Sequence, residues 1–237
     1  SPRDHMGPHP ALSKPEDIVT LRKAITDRAE KAGASVDYVE ACGACRLPAE
    51  TDEATIRAAA ETAAAADVIV VVIGETYEES GEAAARADLA FSAPQVKLVK
   101  ALAATGKPVV ALVEGGRPMV VEDIRDDVAA LAMVWFPGTY GAIGVAEVLF
   151  GDVAPSARSP MTWPRSTGQL PLSYDRLPTG RPASADDKWT NKYIDVGWTP
   201  RYPFGHGLSY GTTTFSAPRL DRAKASPTDT EIGRAHV

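Results

Sequence analysis

The chain has 237 residues, 44% of them hydrophobic and 24% charged, enough for one large domain with a sizeable core. A formal net charge of −6 without clustered Lys or Arg argues against nucleic acid or an anionic membrane surface as partner and points to a small, neutral one. No stretch approaches the ~18 apolar residues of a membrane span, and the opening SPRDHMGPHP lacks the regions of a signal peptide.

Residues 1–15 carry four prolines and no periodicity, which predicts irregular chain. A helix is predicted from Pro15 or Glu16 to Ala32, with Ile18, Leu21, Ile25 and Ala29 on one face and Gly33 as its stop. Ser35–Glu40 reads as a short strand. Cys42 and Cys45 form a CGAC, but zinc would need a second pair. A redox pair belongs at the start of a helix, whereas Arg46, Leu47 and Pro48 open a loop, so both are read as structural cysteines. His5, His9, His206 and His236 show no HxxxH spacing, and no metal site is predicted.

Thr51 or Asp52 caps a second helix, DEATIRAAAETAAAA, whose alanines suit close packing against a sheet. The apolar run Val68–Ile73, ending at Gly74, reads as a strand buried on both faces. The loop after it places Glu75, Glu78, Glu79 and Glu82 just past the strand's carboxyl end, where open α/β sheets hold their ligands. Four acids there are either solvated loop surface or the source of one general acid. Pro94 starts a helix that ends at Gly106, and Lys107–Val113 is a second apolar strand. A short helix near Val121–Asp126 leads to a third strand, LAMVWF. Gly138–Phe150 then reads as a helix with Ile143, Val145, Ala146, Val148 and Leu149 inward.

The alternation of strands and helices predicts an α/β fold: a mostly parallel, doubly wound sheet with flavodoxin-like layering and helices on both faces. From Gly151 the texture changes to Pro, Gly and aromatics with little periodicity, which predicts a long irregular C-terminal wrap pinned by Trp163, Tyr174, Trp189, Tyr193, Trp198, Tyr202, Phe204 and Tyr210. Trp135 and Trp163 sit in strand-like segments and are assigned to the core, with Trp189 and Trp198 left open as sugar-stacking candidates. The tail after Ser216 turns polar.

The segments VIVVVIGE, GEAAARADL, KPVVALVEGGRP, WFPGTYG, AEVLFGDVAPSARSPMTWP, GQLPLSY and RYPFGHGLSY, in this order and spacing, resemble the C-terminal α/β sandwich domain of glycoside hydrolase family 3, most of all in bacterial periplasmic β-glucosidases. The resemblance covers roughly residues 16–216. It implies an N-terminal barrel, bearing an aspartate nucleophile, that this chain does not contain. Residues 1–15 match the connection after the sandwich's first strand, so that strand is expected upstream. Within a linker or tail of residues 217–237, residues 217–230 resemble the run toward a third domain, and the final EIGRAHV is also what a common sequencing adapter encodes before a stop codon, so residues 231–237 are expected to be artefactual. Two departures stand out: PSARSP where the family has PSGRLP, and His206 and Gly211 within the family's GYGLSYTTF.

The implied activity is that of a retaining β-glucosidase acting on terminal β-D-glucosyl residues of β-glucosides or oligosaccharides, periplasmic or secreted in full-length form, with no cofactor. Retaining glycosidases need two carboxyl groups about 5 Å apart, one attacking the anomeric carbon and one protonating the leaving oxygen. By the resemblance, Glu82 in SGEAAAR falls on the family's acid/base glutamate. Glu79 is the alternative, because GETYEE partly mimics the plant-type pattern. Arg86 and Asp88 match the motif that follows and are read as an ion pair fixing loop shape. A proton donor near neutral pH needs a raised pKa, which burial against the barrel would supply. Two other classes stand beside this one: a doubly wound binding or signalling domain of the flavodoxin or receiver type, for which GETYEESGE has neither GxGxxG spacing nor phosphate-compatible charge, and a non-catalytic carbohydrate-binding or assembly module on the same fold.

Overall fold

The computed structural model describes residues 1–41, 52–214, 216, 217, 219, 220, 226, 228, 233 and 234; Cys42 and Cys45 lie outside the described residues. The N-terminal segment is more regular than its prolines suggest. Pro2 occupies a first-turn position, where its missing N–H costs no bond, and Ser1 and Asp4 cap each other around the four-residue helix α1 (Pro2–His5). The helix expected from Pro15 is split. Pro15–Asp17 form a single 3₁₀ turn, Ile18 and Val19 lead out of it with Val19 N–H bonded to the Thr139 carbonyl at 2.9 Å, and Thr20 then caps α2 (Leu21–Lys31) by accepting the Lys23 N–H.

The strand expected at residues 35–40 carries no ladder among the described residues, and Val36, Tyr38 and Val39 are exposed. A short strand is stable only with a paired neighbour and a covered face; here Tyr38 instead lies under the Arg22 guanidinium. Helix α3 (Glu53–Ala63) is capped by Asp52, whose Oδ1 accepts the N–H groups of Ala54 and Thr55.

The sheet is parallel and doubly wound, as the alternation predicts. Strand β1 (Ile69–Gly74), helix α4 (Ala93–Ala103), β2 (Val109–Glu114), β3 (Ala130–Met133) and helix α5 (Gly141–Leu149) follow in chain order, and the strands lie in the order β1-β2-β3. Ile69 is opposite Val109, Gly74 opposite Glu114 and Val113 opposite Met133. One face packs Ile69, Val71 and Ile73 with Val109, Ala111 and Val113 against Ile56 and Ala59 of α3 and Leu98, Val99 and Leu102 of α4. On the other face Leu21 and Ala24 of α2 and Ala142 and Ala146 of α5 cover Leu112.

This second layer stops short of β1. Val70 is 37% and Val72 44% exposed, so β1, read as buried on both faces, is covered on one, whereas β2 is buried on both. The sequence run is apolar throughout because it cannot register that α2 and α5 sit over Leu112 and Val110 of β2. The third strand also ends earlier than LAMVWF suggests: pairing stops at Met133, and Trp135 adopts a left-handed φ of 55° and is half-buried rather than core. In α5 Ala142 and Ala146 are buried and Val145 and Leu149 pack against the same cluster, while Ile143 is exposed. The short helix near 121–126 is a 3₁₀ turn, Arg125–Asp127.

The wrap is ordered by polar pins together with some of its aromatics, Trp163 in the core and Tyr202 packed against it. Arg201 forms a two-bond ion pair with Glu122 (2.7 and 2.5 Å), Trp163 is buried with its indole N–H on the Met119 carbonyl, and buried Gln169 donates to the Gly197 carbonyl. Tyr174 stacks on Phe204 and Tyr202 on His206, but Tyr174 and Trp189 remain largely exposed. At the departures from the family pattern the chain is held by Ser159 N–H on the His206 carbonyl and Gly205 N–H on the Ser159 carbonyl. In the tail, Arg219–Leu220 and Gly233–Arg234 pair as a two-residue antiparallel ladder.

Candidate functional site

The loop of residues 75–90 leaves β1 at the carboxyl edge of the sheet, beside the turn that follows β2. Gly74 makes this exit possible: its φ is 132°, and a Cβ there would lie 1.8 Å from the Glu114 carbonyl oxygen. The buried Gln95 of α4 completes the strand end, donating to the Gly74 carbonyl at 2.7 Å and accepting the Gly74 N–H at 3.1 Å. Its side-chain amide stands in for a peptide on a neighbouring strand.

Each glutamate of the loop has a different environment. Glu75 has a fully buried side chain; its Oε1 accepts from Arg86 (3.1 Å) and Arg117 (2.6 Å), and its Oε2 from the Gly116 N–H (3.2 Å). Thr76 opens a 3₁₀ turn, Tyr77–Glu79, and Glu79 closes it by accepting both the N–H and the hydroxyl of Thr76 (2.9 and 3.1 Å). Glu78 accepts from the Tyr77 hydroxyl. Glu82 is exposed on a turn between Gly81 and Ala83, both with left-handed φ, and makes no hydrogen bond among the described residues.

Arg86 and Asp88 do not form the expected ion pair with each other through side chains. Arg86 is drawn to the buried charge of Glu75 and donates to the carbonyls of Asp88 and Ala90. The Asp88 carboxylate accepts the Ala90 N–H (3.0 Å) and the Thr167 hydroxyl (2.9 Å), which hold its pKa below the ordinary 3.8. Thr167 in turn accepts the Leu89 N–H, so Asp88 ties the loop to the wrap.

The N-terminal segment closes the other side. Asp4 accepts the Tyr77 N–H and Arg3 lies 3.9 Å from the centre of the Tyr77 ring. Burial pushes the Asp4 carboxyl up, but the Ser1 hydroxyl, the amino terminus and the Tyr77 N–H outweigh it and leave it below the usual range. His5 is buried between Glu114 (2.6 Å from Nδ1) and the Leu21 N–H, which donates to Nε2 at 3.0 Å; the ring proton therefore sits on Nδ1. Trp189 is 69% and Trp198 41% exposed, each with a lysine ammonium over its ring.

Among the described residues no group of three or more His, Cys, Asp or Glu side chains is arranged to hold a metal ion, and no helix is long and apolar enough to cross a membrane. The pattern of the sequence could place the loop at the sheet's edge. Gln95 and Arg117 carry no sequence signal of their roles, since their partners lie 21 and about 40 residues away and the contacts exist only in the fold.

Residues 3–210 match the family described as "Glycosyl hydrolase family 3 C-terminal domain". The chain is 39% identical over 193 residues to a periplasmic beta-glucosidase of Salmonella typhimurium, a match that takes in 81% of this chain and 25% of that protein. A beta-xylosidase of Formosa agariphila is 32% identical over 195 residues, 82% of this chain and 26% of the relative. Among solved structures, a beta-glucosidase from Listeria innocua in complex with gluconolactone superimposes with a TM-score of 0.77 at 29% identity, over 94% of this chain and 29% of that one. The chain thus spans about a quarter of the length of these curated relatives.

Proposed function

The chain belongs to glycosyl hydrolase family 3, matching its C-terminal domain, and from that premise we propose that it supplies the proton-donor loop of a retaining β-glucosidase whose nucleophile lies on an N-terminal barrel outside this chain. The substrates are terminal β-D-glucosides or oligosaccharides, and the full-length protein is periplasmic or secreted. The names of the Salmonella and Listeria relatives support the first reading, and that of the Salmonella relative, a periplasmic beta-glucosidase, supports the second.

Glu82 is the acid/base. The observation that carries this is the division of labour within the loop: Glu75 is enclosed by two guanidinium groups, Glu79 spends its carboxylate capping the Thr76 turn, and Glu82 stands exposed on the turn beyond them. A group that must give and take a proton at a substrate oxygen has to be able to meet that oxygen. In the mechanism, Glu82 protonates the leaving oxygen as the barrel carboxylate attacks the anomeric carbon, and then deprotonates the water that releases the sugar.

The test is made on this chain rejoined to a family barrel. Glu82→Ala should slow hydrolysis of alkyl glucosides by roughly 10² to 10⁴, the usual worth of a general acid, with a smaller loss on glucosides of very acidic phenols, which leave unprotonated. Azide should partly restore turnover by attacking the glycosyl-enzyme. Glu79→Ala should do little. If Glu79→Ala shows the leaving-group dependence and azide rescue while Glu82→Ala behaves as wild type, Glu82 is not the acid.

A further inference from the structure

Between Glu79 and Leu89 the described chain makes almost no backbone-to-backbone hydrogen bonds; the turn that carries Glu82 belongs to no helix or strand. Its carbonyls are held by side chains. Arg117, from the turn after β2, donates to the carbonyls of Glu79 and Ala84, which bracket the stretch 80–83, while its Nη1 also donates to buried Glu75 at 2.6 Å. We propose that Arg117, anchored by Glu75, is the positioning residue for the Glu82 turn, fixing where that carboxyl group stands relative to the sugar. This rests on Glu82 being the acid/base.

The geometry requires a guanidinium. A planar fork reaches a carboxylate and two divergent carbonyls at once; an ammonium is a point donor and cannot span all three. The Arg117 side chain is 19% exposed and that of Glu75 not at all, so their pair is little screened and the arm has a fixed root. Packing on both sides leaves the turn no slack. A Cβ on Gly116 would lie 2.2 Å from the Ser80 hydroxyl, and one on Gly81 2.7 Å from Pro8, so the turn is closely held between the β2 turn and the N-terminal segment. Arg86 acts on the far limb, at the carbonyls of Asp88 and Ala90, from the same Glu75 root.

Two measurements test this. In the chain itself, amide hydrogen exchange of peptides spanning 79–85 should quicken by about tenfold or more in Arg117→Lys and in Glu75→Gln, while peptides of β2 keep their protection, which also reports that the variants fold. In the chain rejoined to a barrel, Arg117→Lys should lower kcat on an alkyl glucoside by about 10²-fold with KM little changed, and lose less on a dinitrophenyl glucoside, because a displaced acid matters only where a proton is needed. A merely structural defect would lower both substrates alike. Unchanged exchange in 79–85, or equal losses on the two substrates while Glu82→Ala discriminates between them, overturns the positioning role alone. A Glu82→Ala variant that does not discriminate overturns the acid/base assignment and with it the positioning of that acid.

Discussion

Asp88 shows how a single carboxylate holds the loop to the wrap. Bonds from the Ala90 N–H and the Thr167 hydroxyl favour its charged form, and the folded pKa lies below the ordinary 3.8. A depressed carboxyl contributes stability that is fully present above the unfolded value and is lost as pH falls through the folded one, so this tether should fail only in acid below 3.8. Thr167→Val removes one of its donors and should move the Asp88 titration upward, toward the ordinary value, in a carboxyl-detected NMR titration; an unmoved midpoint would show that Thr167 is no partner in solution. Gln95→Ala should cost about 1–3 kcal/mol in urea unfolding, since it strips both partners from the Gly74 peptide groups. Residue roles of this kind were only partly legible in the sequence. The match to the family motif reads Arg86 and Asp88 as a pair, but the buried Glu75 carboxylate attracts the guanidinium more strongly than a carboxylate bathed in water. Glu82 was singled out by family resemblance, because nothing in its own neighbours distinguishes it from three other acids.

At the scale of elements, periodicity and caps located the helices and strands, and what they could not convey is coverage. The run Val68–Ile73 is apolar on every position, yet only alternate side chains of β1 meet α3 and α4. Val71→Ala should therefore destabilise the fold by about 1–3 kcal/mol, whereas Val72→Ala, on the open face, should fall within about 0.5 kcal/mol of wild type. Equal losses in paired urea titrations would mean that Val72 is covered in solution. The outer edge of β1 is unpaired among the described residues, and residues 35–40, despite a suitable composition, form no ladder with it. Adding the strand that the family resemblance places upstream should sharpen thermal unfolding into one cooperative transition. A chain that already melts sharply as a monomer would contradict this.

On the scale of the molecule, the fold class and the long wrap were readable because alternation of elements and a change of texture at Gly151 are features of tens of residues, less sensitive to any one contact. The pins of the wrap were not: Arg201 on Glu122 and Gln169 on Gly197 join segments far apart in sequence, while the conspicuous aromatics Tyr174 and Trp189 stay exposed. The chain spans about a quarter of its curated relatives, Glu82 alone of the four loop glutamates makes no hydrogen bond among the described residues, and double displacement needs two carboxyl groups. The proposed division of the site between this domain and a barrel is most directly tested by assaying an aryl β-glucoside with the purified chain and with the chain rejoined to a family barrel, each beside its Glu82→Gln variant. Turnover confined to the rejoined protein, and diminished there by Glu82→Gln, is the expected result; turnover by the chain alone above its Glu82→Gln control would contradict it.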